Sequence, residues 1–153
     1  WLTLNLTPDA VREYVLNKAL HPAMVPVSEE ETALEHAIAR YAIHQGVQRL
    51  VREMRARGGA PAAVGADLLP EVEPVIITGG IFSNAAKLGP ALLTALDGLQ
   101  PVGITAVLLD RYNLVTVLGA AASVNPTLTA QTMDSSMLVR LALVVTPVSR
   151  ARL

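Results

Sequence analysis

Pro74-Val75-Ile76-Ile77-Thr78-Gly79-Gly80-Ile81-Phe82-Ser83-Asn84 is the stretch whose reading decides the fold. A β-branched run enters it, a glycine pair breaks it, and a Ser/Asn helix-start signal leaves it for Ala85-Ala86-Lys87-Leu88. The pattern predicts a strand at Val75 to Thr78, a bare turn, and a helix from Asn84 to Leu96 closed by Asp97-Gly98. Without Cβ atoms, Gly79 and Gly80 let a ligand approach the backbone. A helix N-terminus just beyond them would direct unpaired N–H groups into the same space. One reading is a binding site for something flat or anionic. The other is a tight strand-to-helix connection with no ligand.

Downstream, Ile104 to Leu109 is apolar without polar alternation, the pattern of a central parallel strand covered on both faces. It ends in Asp110, the best-placed carboxylate, because open α/β sheets bind ligands at the carboxyl ends of their strands. Asn113 is expected to cap a helix carrying Leu118-Gly119-Ala120-Ala121-Ala122, whose small residues suit close packing, and which stops before Asn125-Pro126. Asp134 reads as a loop residue. Leu138 to Thr146 reads as a last strand, with Arg140 at an edge or pointing outward.

Upstream, Thr7-Pro8-Asp9 opens a helix that His21-Pro22 stops near Leu20. Ser28 followed by Glu31 is a capping box. The helix it opens should run to about Arg57, with Ile43, Val47, Leu50 and Met54 on one buried stripe and Leu34, Ile38 and Tyr41 on an adjoining one. Arg49, Arg52, Arg55 and Arg57 read as a solvated face in preference to an anion site. A Pro/Gly/Ala-rich loop from Ala60 to Glu73 then leads into the opening stretch.

Composition bounds the function. The 153 residues are 52% hydrophobic but only 3% aromatic, so the core is built from Ala, Val, Leu and Ile. A net charge of −1, with no basic cluster interleaved with aromatics, disfavours nucleic-acid binding. The absence of cysteine removes disulfides, thiolate metal sites and cysteine nucleophiles. No apolar run approaches the roughly 18 residues of a membrane span, and a cytoplasmic bacterial origin is the expectation. A start at Trp1 is what a piece of a longer protein would show. His21, His36 and His44 form no metal-spaced set, and read as ordinary helix residues. No phosphate-binding P-loop, serine elbow or Gly-x-Gly-x-x-Gly fingerprint is present.

The order long helix, strand-Gly-Gly-x-x-x-Asn-helix, strand-Asp, helix with Leu-Gly-Ala-Ala resembles the second half of the actin, Hsp70 and sugar-kinase superfamily. More narrowly, Ile76 to Asn84, with Leu109-Asp110, Leu118-Gly119 and Val144-Val145-Thr146-Pro147, is similar to the MutL (GlmL) family. Members are encoded with glutamate mutase and other coenzyme B12-dependent mutases, and are unrelated to the mismatch-repair protein of the same name. The resemblance implies an actin/Hsp70-like (ribonuclease H-like) α/β lobe with a mostly parallel sheet at 28–153, preceded by an N-terminal helix and connection at 1–27.

It further implies an ATP-binding reactivase or chaperone of the mutase, with Gly79, Gly80, Ser83, Asn84 and Asp110 at the nucleotide and ATP/ADP with Mg²⁺ as cofactor. Expected partners are B12-dependent mutase subunits and a missing N-terminal lobe. Self-association through the surface left by that lobe is a further expectation. The superfamily's Asp-x-Gly-x-Thr segment is absent from this sequence, so the chain by itself is expected to be inactive as an ATPase. The alternative is a non-catalytic interaction module with a vestigial nucleotide pocket.

Overall fold

The computed structural model describes residues 6–58, 72–134 and 137–147. Thr7 caps helix α1 (Pro8–Leu20) by accepting from the Ala10 N–H at 3.3 Å, and Pro8 occupies the first turn, where a missing N–H costs nothing. Ser28 caps helix α2 (Glu29–Ala56), accepting from the Glu31 N–H at 3.0 Å. The Glu31 carboxylate reaches past the cap to the Val27 N–H, 2.7 Å away, a capping box displaced by one residue. Both helices begin where the sequence places them. The predicted loop from Ala60 lies outside the described residues as far as residue 71.

Strands β1 (Val75–Ile77), β2 (Gly103–Asp110) and β3 (Leu138–Thr146) form one sheet in that order. β2 is central, parallel to β1 and antiparallel to β3, so the α/β sheet is mixed and not mostly parallel. The central strand β2 is buried on both faces from Thr105 to Asp110 apart from the half-buried Leu108, and the second face opens only at the Ile104 end. Ile77, Val107 and Leu109 share one face with helix α4 (Leu88–Leu99) and are buried. On the other face Ile104 is 50% exposed, and its β3 neighbours Leu143 and Val145 are 60% and 64% exposed.

A bulge sets this division. Val107 pairs with Ala142 and Leu108 with Arg140, so Leu141 is an extra residue in β3. One inserted residue flips the faces of everything beyond it. Val139 and Leu141 pack on the core before the bulge and Val144 after it, while Arg140 and Leu143 are exposed.

α4 lies between the sheet and α2. Ala91 and Ala95, 1% and 2% exposed, join Ile77, Val107 and Leu109 in the core, with Ile43 of α2 packed against them. Gly98, read from the sequence as the helix stop, sits inside α4. A Cβ there would lie 2.8 Å from Ile43 Cβ and 2.9 Å from the Arg40 carbonyl oxygen, so glycine sets how closely the two helices approach. The helix ends instead at Gln100, in the left-handed region with φ 49°.

Of the predicted α2 stripe, Val47 is buried and Ile43 and Met54 are half-buried. Leu34 and Val51 are buried as well, whereas Leu50 and Tyr41 are 48% and 68% exposed and Ile38 is 38% exposed. Arg49, Arg52, Arg55 and Arg57 are exposed, as a solvated face requires.

Two departures fall at the C-terminal side. Helix α5 (Val115–Ala122) buries none of its residues, and Gly119 has no neighbour within 4 Å of where a Cβ would stand. Gly119 therefore serves no close approach among the described residues, while Ala121 and Ala122 are half-buried. Helix α6 (Pro126–Asp134) has no counterpart in the sequence reading, and Asp134 is its last residue, not a loop position. Asn125-Pro126 does stop α5, but it also starts α6: the Asn125 side-chain oxygen accepts from the Leu128 N–H at 3.0 Å.

Candidate functional site

The glycine turn does not open a long helix at Asn84. Gly79 leads directly into the short helix α3 (Gly80–Ser83), whose Phe82 and Ser83 N–H groups bond the Gly79 carbonyl at 3.0 and 2.9 Å. Phe82, 6% exposed, anchors the turn in the core. Asn84 closes α3, and the extended backbone of Lys87 separates it from α4. The long helix therefore begins at Leu88, away from the glycines, and the expected convergence of its N–H groups on the turn is absent.

Gly79 adopts φ 107°, ψ 157°, a conformation that side-chain-bearing residues rarely take. Its N–H donates to the Asn113 side-chain oxygen at 2.8 Å, the Asn113 amide donates to Ser83 Oγ at 3.1 Å, and Ser83 Oγ donates to the Gly79 carbonyl at 3.1 Å. Thr78 Oγ1 lies 3.0 Å from the same Asn113 oxygen and 3.2 Å from Asp110 Oδ2, so its single proton serves either acceptor.

Asp110 is fully buried, and its two oxygens accept the Leu114 and Val115 N–H groups at 3.0 and 2.9 Å. Asp110, not Asn113, thus caps α5. Asn113, at φ 54°, instead ties the β2–α5 turn to the glycine turn. Burial pushes the Asp110 carboxyl up, but hydrogen bonds from Val115, Leu114, Thr78 and Tyr112 outweigh it and hold the group below the usual aspartate range.

On the other side of the glycine pair lies a cavity of about 690 Å³. Gly80, Ile81, Asn84 to Lys87 and Pro90 form one wall, and Pro22 to Pro26 of the α1–α2 connection another, with Lys18. The first turns of α2 supply Glu29, Thr32, Ala33, Glu35 and His36. Gly79, Ser83 and Asp110 belong to the hydrogen-bonded network, and Gly80 and Asn84 to the cavity wall. The five residues singled out by sequence are therefore neighbours with two different surroundings.

His36 Nδ1 is 2.8 Å from Thr94 Oγ1, which is 2.9 Å from the Pro90 carbonyl. The Thr94 hydroxyl has one proton, and the carbonyl can only accept it, so the geometry assigns His36 as the Nδ1–H donor. Burial lowers the His36 pKa, against an opposing pull from Glu35. Glu35 is itself buried, accepts from the Tyr14 hydroxyl at 2.9 Å and pairs with Lys18. Burial foremost, then the hydrogen bond to Glu35, raises the Tyr14 pKa.

Motif and spacing do not single out Tyr14, Lys18 or Glu35, and they leave His36 an ordinary helix residue. Each is joined to the site by contacts between distant segments, which local spacing does not encode. Magnesium does not fit: the Asp110 oxygens are spent within the fold, Glu35 Oε1 takes both Tyr14 and Lys18, and no group of three or more potential ligands occurs among the described residues. Among them, too, no helix is long and apolar enough to cross a membrane.

The family described as MutL protein matches over residues 2–137. The chain belongs to this MutL (GlmL) family, which is associated with glutamate mutase. No curated protein and no solved structure matches it.

Proposed function

We propose, taking membership of the MutL family as the premise, that the cavity beside Gly80 and Asn84 receives the adenosine part of an adenine nucleotide. The chain would then be the C-terminal nucleotide-binding lobe of an ATP-dependent reactivase or chaperone of a coenzyme B12-dependent mutase such as glutamate mutase. The observation that carries this reading is the cavity itself. Its volume of about 690 Å³ falls in the range of small-molecule sites, and two residues of the glycine motif stand on its wall. The lining is mainly apolar with a few polar groups, the chemistry that holds a base and ribose.

The parallel β1–β2 pair with α3 and α4 between its strands is compatible with an actin-like lobe. Bound nucleotide would supply the phosphoryl chemistry. The chain's residues enclose the base and exclude water from it. With no Asp-x-Gly-x-Thr segment in the sequence, ATP binding without turnover is expected.

Calorimetry with ATP tests this. Gly80→Arg is a suitable blocked control, because Gly80 has ordinary backbone geometry and a Cβ there would meet only Asn84, at 3.7 Å. Saturable binding abolished by Gly80→Arg supports the reading, and no binding to the unmodified protein overturns it. A second reading, a non-catalytic module that docks mutase subunits, is favoured by the exposed apolar face at Ile104, Leu143 and Val145. Mutase capture that persists without nucleotide and is lost in Leu143→Glu would favour the module.

A further inference from the structure

We propose that α1 and the α1–α2 connection form a displaceable strap over the cavity, pinned by the single carboxylate of Glu35. The inference takes from the nucleotide reading only the identity of the occupant. α1 buries no residue. Val11, Tyr14 and Lys18, spaced i, i+3, i+7, are its half-buried positions, whereas Val15, Leu16 and Leu20 on its other faces are 42%, 56% and 74% exposed. Two of those three docking residues bind the same group, Tyr14 by a hydrogen bond and Lys18 by an ion pair.

Lys18 also donates to the Met24 carbonyl, fastening the connection to α1. Met24 and its neighbours Pro22 to Pro26 form a wall of the cavity, and Glu35 of α2, joined to Met24 through Lys18, lines it beside them. Release of Glu35 would therefore move Lys18 and the connection off the cavity together. Apolar burial offers little to resist that movement, since the apolar contacts of the strap, Val11 of α1 and Met24 and Pro26 of the connection, are only half-buried. Access to the cavity is then governed by the Glu35 contacts, and an occupant is admitted by opening the strap, not by unfolding the core.

The absence of cysteine in the chain makes a clean test. Ala33, 9% exposed, lines the cavity, and Ala91, 1% exposed, lies in the core under α4. Iodoacetamide alkylation of Ala33→Cys should accelerate at least about tenfold when Glu35→Gln is added, while Ala91→Cys stays unreactive in both backgrounds. Hydrogen exchange needs no thiol and provides the second measurement. Glu35→Gln should speed exchange in residues 8–20 by a similar factor and leave Leu88–Leu99 unchanged. The double variant Tyr14→Phe, Lys18→Met should reproduce both effects. Unchanged rates at residues 33 and 8–20, or parallel acceleration at Ala91→Cys and in α4, would overturn the strap. None of these measurements uses nucleotide, so strap opening is read even in a protein that fails to bind ATP.

Discussion

The two halves of the Gly79-Gly80 pair differ in what they face. Gly79 points its N–H into a closed set of hydrogen bonds with Asn113, Ser83, Thr78 and Asp110, and its φ of 107° requires glycine. Gly80 has ordinary backbone geometry, makes no close approach to the sheet, and borders a cavity. Adjacent and chemically identical residues thus divide the labour. One fixes the turn and the other leaves room beside it. A glycine in a motif is evidence of a ligand only after its backbone and its neighbours have been asked for another reason.

Gly98 supplies a third reason, neighbour contact, and the largest expected effect. Gly98→Val places atoms against Ile43 and the Arg40 carbonyl, and should cost about 3 kcal/mol, or roughly 6–12 °C in Tm, by calorimetry. Asp110→Ala leaves the part-buried Leu114 and Val115 N–H groups at the start of α5 without their acceptor, with an expected loss of about 2–3 kcal/mol in urea unfolding. The glycine pair itself comes next. Gly79→Ala should cost about 2 kcal/mol through its backbone, whereas Gly80→Ala should stay within about 0.5 kcal/mol. Equal costs at the two positions would dissolve the distinction drawn between them.

The smallest effect is on pH dependence. Because the folded-state pKa of Asp110 is depressed, its contribution is present above the ordinary value of about 3.8 and is lost as pH falls through and below it. Asp110→Asn should flatten that acid limb of the stability curve, measured by urea midpoints between neutral and acid pH.

Much of the scaffold is legible because the signals are local. Thr7-Pro8 and Ser28 to Glu31 locate two helix starts, and the apolar runs 104–109 and 138–146 locate two strands. What local pattern lacks is parity and partnership. An unbroken apolar run does not say which of its residues stay exposed, and in β3 the Leu141 bulge decides that only through pairing with β2. Gly98 looks the same as a helix stop until Ile43 is seen beside it. For the site, the sequence locates the glycine turn but merges its two sides, and assigns Asp110 to a ligand when its oxygens are committed to α5. The far wall of the cavity, from Lys18 to His36, lies more than forty residues before the turn and is invisible to motif spacing.

Photolabelling with 8-azido-ATP, followed by peptide mapping, tests the central claim most directly. The account predicts ATP-protectable label on the peptides spanning residues 22–36 and 80–90, which form the two sides of the cavity, and none on residues 110–115. Label concentrated at residues 110–115, or label at the cavity peptides that excess ATP does not protect, would contradict it.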